Sequence, residues 1–167
     1  MSIALIYARS LNYCIGRDGQ LPWRLPDEYA HFVRVTRSNT VIMGRRTYEE
    51  NGSALQGCNN IVVTRNEQLP LPAGVQRAGS LAEALELAGA AADRVFVIGG
   101  VSLYREAFPL ADEVYETVVL ADFEGDTYID AFDFAHWSTE QLARHRVDPD
   151  HAYEFSVLRH KRPYPQG

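Results

Sequence analysis

Lysine is almost absent from this chain: Lys161 stands alone against fifteen arginines. Anion recognition therefore falls to guanidinium groups, whose planar forks hold phosphates and carboxylates. Cysteine is nearly as scarce. Cys14 and Cys58 are too few for a disulfide framework and lack the paired spacing of a zinc site, which points to a reducing, cytoplasmic setting. Long apolar runs are missing, and the short one that opens the chain has no positive flank ahead of it, so neither a membrane span nor a leader is expected. Positive charge is also in deficit. Sixteen basic residues face 22 acidic ones, a net charge of -6 that argues against a nucleic-acid partner. What is present is an average globular composition, 46% hydrophobic and 23% charged over 167 residues, read as one domain over 1–167 and expected to be a monomer.

Short apolar runs without alternation lie at Ile3 to Ala8, Thr40 to Met43, Asn60 to Val63 and Val95 to Ile98, the pattern of strands buried on both faces. Between them the spacing predicts helices near 27–37, 46–51, 80–88 and 101–107, with Ser80 as the third helix's N-cap and Glu83 completing its capping box. Alternating strands and helices imply an α/β fold with a largely parallel sheet. Toward the carboxyl end, Glu113 to Leu120, Ser138 to Val147 and Ala152 to Lys161 read as an antiparallel edge. The connection from Leu11 to Leu25 carries Gly16, Gly19 and Pro22, and is longer than joining two elements requires, as functional lids are.

Three stretches carry chemistry. In Val95-Phe-Val-Ile98-Gly99-Gly100-Val101-Ser102-Leu103-Tyr104 a buried strand runs through two glycines into a helix, so backbone and amide groups can approach a phosphate closely. It is not the three-glycine dinucleotide fingerprint, and a plain tight turn fits the same residues. Arginine follows two neighbouring strand ends, at Gly44-Arg45-Arg46-Thr47 and at Thr64-Arg65. A 2'-phosphate needs arginine where a free ribose needs an acid, so NADPH is favoured over NADH, although each arginine taken singly fits a solvated surface. The third stretch is Leu21-Pro22-Trp23-Arg24-Leu25-Pro26-Asp27-Glu28-Tyr29-Ala30-His31-Phe32. Pro26 starts a helix, and Glu28 shares a face with Phe32 one turn later, so its carboxylate looks inward beside Trp23; Asp27 is the surface acid of the pair. His31, His136, His145, His151 and His160 show no ligand spacing, and no metal is expected.

These motifs, in this order, closely resemble the dihydrofolate reductase family: Ile15-Gly16, Leu21-Pro22-Trp23-x-Leu25-Pro26-x-Glu28-x-x-x-Phe32, Val41-Ile-Met-Gly-Arg-x-Thr47-Tyr48-Glu49, Asn60-Ile-Val-Val-Thr-Arg65, Val97-Ile-Gly-Gly-x-x-x-Tyr104 and Glu124-Gly125-Asp126-Thr127. The resemblance implies an eight-stranded, mostly parallel sheet with an antiparallel C-terminal edge, four flanking helices and NADPH along the carboxyl edge of the strands. Carried over by position, Gly44, Arg45, Arg46, Thr47, Thr64 and Arg65 hold the cofactor's phosphates. Gly99 and Gly100, joined in the family by a cis peptide, would meet its pyrophosphate, with Val101, Ser102, Leu103 and Tyr104 behind them. Ala8, Ile15, Gly16 and Ile98 would line the nicotinamide pocket. Glu28 matches the family's active-site carboxylate, which orients the pterin and promotes protonation of the C=N nitrogen, with Trp23 and Thr117 in support. Asp126 would help hold the lid closed. A heterocyclic small molecule would lie among Ile6, Tyr7, Leu21, Glu28, Tyr29, Phe32, Asn51, Leu55 and Cys58.

The sequence departs from the family where an arginine ordinarily grips folate's glutamate tail. Ala54-Leu55-Gln56-Gly57-Cys58 stands there, and a thiol cannot replace a guanidinium fork. Losing such a partner typically costs about 2–5 kcal/mol. The departure favours a divergent reductase acting on the iminium form of a non-folate imine or hemiaminal. An ordinary dihydrofolate reductase, with Arg34 or Arg37 reaching the tail, and a non-catalytic binder of NADPH or of an antifolate-like compound are the alternatives.

Overall fold

The apolar runs of the sequence become the interior strands of one large sheet. The computed structural model describes residues 1–89 and 92–163. In chain order the elements are β1 (Ser2–Ser10), β2 (Cys14–Gly16), α1 (Pro26–Thr36), β3 (Thr40–Gly44), α2 (Arg45–Asn51), β4 (Asn59–Val63), β5 (Gln76–Ala78) and α3 (Leu81–Ala88). They continue with β6 (Arg94–Val97), α4 (Val101–Ala107), β7 (Glu113–Val119), β8 (Thr127–Tyr128), β9 (Ser138–His145) and β10 (Phe155–Lys161). Eight strands form a sheet in the order β5-β4-β3-β6-β1-β7-β10-β9, and β2 pairs with β8 apart from it. Among the described residues no helix is long and apolar enough to cross a membrane.

Successive side chains of a strand face opposite sides, so each central strand feeds two apolar layers. Leu5, Ile42, Ile61, Val95 and Val97 pack with Leu81 and Ala84 of α3 and Leu103 and Ala107 of α4. Ala4, Val41, Met43, Val62 and Phe96 face the other side, against Phe32 and Val35 of α1 and Tyr48 of α2. Parallel pairing with helices on both faces requires this double burial, which is why the runs do not alternate.

The carboxyl-terminal third forms the expected antiparallel edge, but β7 belongs to the parallel part of the sheet as well. β7 is parallel to β1, with Tyr7 opposite Glu116, and is buried on both faces after its first residue. The antiparallel edge is made by β10, which pairs antiparallel with β7 on one side and β9 on the other. Glu116 and Thr117 gave β7 the look of a half-exposed strand. Both are buried, Thr117 on the face toward α1 and Glu116 on the opposite one, where it accepts hydrogen bonds from Tyr7 at 2.8 Å and Arg9 at 3.1 Å and lies 3.1 Å from the His160 ring nitrogen. Although burial works against its charge, these partners hold the Glu116 carboxyl below its usual range.

Candidate active site

The carboxyl ends of β1, β3, β4 and β6 open into one cavity of about 1360 Å³. That exceeds the usual range of roughly 300–1,000 Å³ for a single small-ligand pocket and leaves room for two molecules side by side. Open parallel sheets bind ligands at this edge because the strand-to-helix turns there present backbone amides.

One half is a phosphate cradle. Gly44, at the end of β3, donates its amide to the Gly99 carbonyl at 2.8 Å, which ties two strand-to-helix turns together. Gly99 and Gly100 are joined by a cis peptide. A side chain would fill this turn: a Cβ on Gly99 would lie 3.2 Å from the Thr47 hydroxyl, and its φ of +127° favours glycine. The first turns of α2 and α4 have no side-chain cap, and their N-caps, Gly44 and Gly100, both line the cavity. Arg45, Arg46, Thr47, Thr64 and Arg65 surround them. Arg45 and Arg46 pair with Glu49 and Glu50 one turn on, at 4.0 and 3.1 Å, both exposed; such pairs are weak and yield readily to a phosphate. Arg65 has no ion-pair partner among the described residues. Glycine turns that exclude side chains, beside guanidinium groups, fit a dinucleotide with an additional phosphate.

The other half is apolar apart from one acid. Glu28, in the first turn of α1, is the buried carboxylate of the cavity among the described residues, with Trp23, Phe32, Ile6 and Ile98 also on the wall. Pro26 at the first position of α1 fixes where the helix starts and hence which way Glu28 faces. Burial pushes its carboxyl up from 4.5 to about 7, and a hydrogen bond from Thr117 partly opposes this. The Trp23 indole nitrogen is buried with no hydrogen-bond partner among the described residues, so a donor remains available at this wall. Tyr104 donates its hydroxyl to the Ile6 carbonyl at 2.9 Å, bracing α4 against β1.

Most of the expected residues meet here. Ala8, Ile15, Gly16, Val101, Ser102, Leu103, Leu21, Tyr29 and Asn51 line the cavity with those already named. Thr117 does not line it and reaches it through Glu28. Tyr7 borders it, while its hydroxyl is committed to Glu116 on the opposite face of the sheet. Leu55 and Cys58 are not part of the wall. Both pack into the apolar cluster beneath it, and the Cys58 thiol donates to the Thr36 carbonyl at 3.3 Å. Neither side chain therefore stands on the cavity wall where a substrate contact was expected. Arg24, Gln20 and Ser80 line the cavity without having been anticipated. Ser80 was legible only as a helix cap, a role it performs by accepting from the Glu83 amide at 3.1 Å.

The lid segment is tied to the turn that leads into β8. The Asp18 amide donates to Asp126 at 2.9 Å, the Asp126 amide to the Gly16 carbonyl at 3.0 Å, and Gly125 approaches so closely that any Cβ there would collide with the Gly16 carbonyl and the Cys14 sulfur.

A parallel sheet with a phosphate cradle and one buried carboxylate across a shared cavity defines a nicotinamide-nucleotide-dependent oxidoreductase. The dihydrofolate reductase family model matches residues 2–162. The chain is 40% identical over 164 residues to a dihydrofolate reductase type 3 of Salmonella typhimurium, covering 97% of this chain and 100% of that one. It is 34% identical over 160 residues to a dihydrofolate reductase of Bacillus subtilis (strain 168), covering 96% and 94%. Among solved structures, a dihydrofolate reductase from Enterococcus faecalis complexed with NADP(H) and RAB-propyl superposes with a TM-score of 0.86 at 31% identity, over 97% of each chain. The chain belongs to the dihydrofolate reductase family.

Proposed function

We propose that the chain reduces 7,8-dihydrofolate to 5,6,7,8-tetrahydrofolate with NADPH. The observation that carries this reading is Glu28, a buried carboxyl facing an apolar half-cavity across from the glycine cradle. The missing arginine at Cys58 favoured a non-folate imine, and the relatives described above give that reading no support. The relatives described above all carry the dihydrofolate reductase name, which supports the folate reading. A non-catalytic binder would not need the buried acid.

When bound, NADPH supplies the hydride, and the second hydrogen comes from solvent as a proton. Arg65 and Thr64 would hold its 2'-phosphate, and Arg45, Arg46 and Thr47 with the amides behind Gly44 and Gly100 would hold the phosphate bridge. Ala8, Ile15 and Ile98 form the apolar wall that holds the reacting ring and excludes water. Glu28 hydrogen-bonds and orients the pterin, and its single negative charge in an apolar wall favours the protonated C=N over the neutral imine. A carboxyl poised near neutral pH can take up and release a proton in each cycle. Thr117 fixes the orientation of that carboxyl, and Trp23 supplies a donor beside it. The ties at Asp18 and Asp126 hold the segment from Gly16 to Leu21 over the site during the reaction.

Comparing kcat/KM for dihydrofolate with that for a panel of simple cyclic imines tests the substrate. Dihydrofolate should lead by about a thousandfold or more, since only it fills the pterin-binding half through hydrogen bonds to a buried acid. An imine turned over as efficiently would overturn the assignment.

A further inference from the structure

We infer that Asp27, His145 and His151 form a binding site for one divalent transition-metal ion, of the class of Zn²⁺, at the start of α1. The site lies outside the catalytic cavity and does not depend on the folate reading. Its groups come from three elements: the first turn of α1, the end of β9, and the turn that leads into β10.

The ligand atoms converge. His145 Nε2 stands 2.8 Å from Asp27 Oδ2 and His151 Nε2 stands 3.8 Å from the same oxygen, with all three ligand atoms within 4.8 Å of one another. A tetrahedral zinc ion at ordinary bond lengths keeps its ligands about 3.4 Å apart, between the first two of these spacings. Small side-chain rotations therefore suffice to close the site. The fourth position opens toward solvent and toward Asp148, whose Oδ2 is 3.5 Å from His145 Nε2.

The second nitrogen of each ring is already assigned. His145 Nδ1 lies 2.7 Å from the Arg146 carbonyl, and His151 Nδ1 lies 2.8 Å from Asp148 Oδ1, so each Nδ1 is a donor and each Nε2 faces the convergence point. Metal-bound histidines are held in this way, through a carbonyl or carboxylate on the far nitrogen. Two imidazoles aimed at one carboxylate oxygen exceed what a helix cap or a single ion pair needs. His151 Nε2 now accepts the Asp27 amide at 3.0 Å, and the ion would take over that lone pair.

The site is also rigid. The turn from Asp148 to His151 is closed by two backbone hydrogen bonds at 3.0 and 3.1 Å, and Asp148 Oδ1 further accepts the Asp150 amide at 2.9 Å. The His145 ring stacks on buried Phe155 with centroids 5.0 Å apart. A site held by packing and by outer hydrogen bonds needs little reorganisation to bind.

The test uses the full chain stripped with a chelator and titrated with Zn²⁺, and separately with Co²⁺, whose visible absorption reports low coordination. One ion per chain should bind, with the Co²⁺ spectrum of a four-coordinate nitrogen and oxygen site and no thiolate band. His145→Gln, His151→Gln and Asp27→Asn should each weaken Zn²⁺ binding by at least about tenfold. Asp27 is exposed, so its variant removes a ligand without opening the core, and melting of each metal-free variant checks folding. Absence of binding, or binding that the three substitutions leave unchanged, overturns the inference.

Discussion

The Cys58 thiol donates to the Thr36 carbonyl at 3.3 Å, across 22 residues of sequence, and so closes the end of α1 rather than facing ligand. Because the sulfur lies outside the cavity wall, Cys58→Ala should change the KM for dihydrofolate by less than about threefold. It should lower the melting temperature modestly, the scale of one partly buried hydrogen bond and a small packing loss. Steady-state kinetics beside a thermal melt separates the two effects. A large rise in KM with unchanged stability would place the thiol in the binding site.

Glu28 couples activity to stability through its burial. Its ordinary carboxyl value of 4.5 rises to about 7 in the folded chain. Below about pH 4.5 the group is protonated in both states and contributes no difference. Between 4.5 and 7 the unfolded chain alone ionises, which progressively disfavours folding, and above 7 the cost levels off at about 3 kcal/mol. Glu28→Gln should therefore be more stable than the wild type at pH 8, by up to about that amount, with the gain gone at pH 4. Chemical denaturation at both pH values, with chelator present, measures it.

The same substitution should slow hydride transfer by roughly 10²–10⁴-fold at neutral pH, the usual contribution of a positioned acid or base. In the wild type the hydride step should fall as pH rises above about 7. That inflection should be missing from Glu28→Gln. Single-turnover kinetics read both.

Arg65 sits at the end of β4 without an ion-pair partner among the described residues, beside Thr64 on the cavity wall. Arg65→Ala should raise the KM for NADPH by at least about tenfold while leaving the KM for NADH nearly unchanged, since only the first carries the 2'-phosphate. Equal losses with both would mean that the arginine supports the fold rather than the phosphate.

Asp126 receives the Asp18 amide at 2.9 Å, and this bond holds its carboxyl below the usual carboxylate range. Asp126→Ala should reduce kcat/KM by roughly three- to tenfold, the scale of one exposed charged hydrogen bond. Gly125→Ala should do more, because its new Cβ collides with the Gly16 carbonyl and the Cys14 sulfur and so displaces the lid itself. Proteolysis between Gly16 and Leu21 should become faster in both.

The central strands β1, β3, β4 and β6 were legible because burial on both faces leaves unbroken apolar runs. β7 was misread as an edge because Glu116 and Thr117 break its run, and nothing local says that each is buried with a partner. β2, β5 and β8 are two or three residues long and carry no periodicity at all. The glycine cradle and Glu28 were readable because adjacent glycines, strand-end arginines and a proline-started helix are local signals. The direction of Cys58 was unreadable for the opposite reason: it depends on the loop's backbone, which spacing does not report. The pairing of Asp27 with His145 and His151 spans 118 and 124 residues, beyond any spacing rule.

The most direct test of the account follows NADPH oxidation by the purified protein on addition of dihydrofolate while tetrahydrofolate is quantified. The account predicts one tetrahydrofolate formed per NADPH consumed, no oxidation without dihydrofolate, and loss of turnover in Glu28→Gln. Tight NADPH binding with no tetrahydrofolate formed would contradict it.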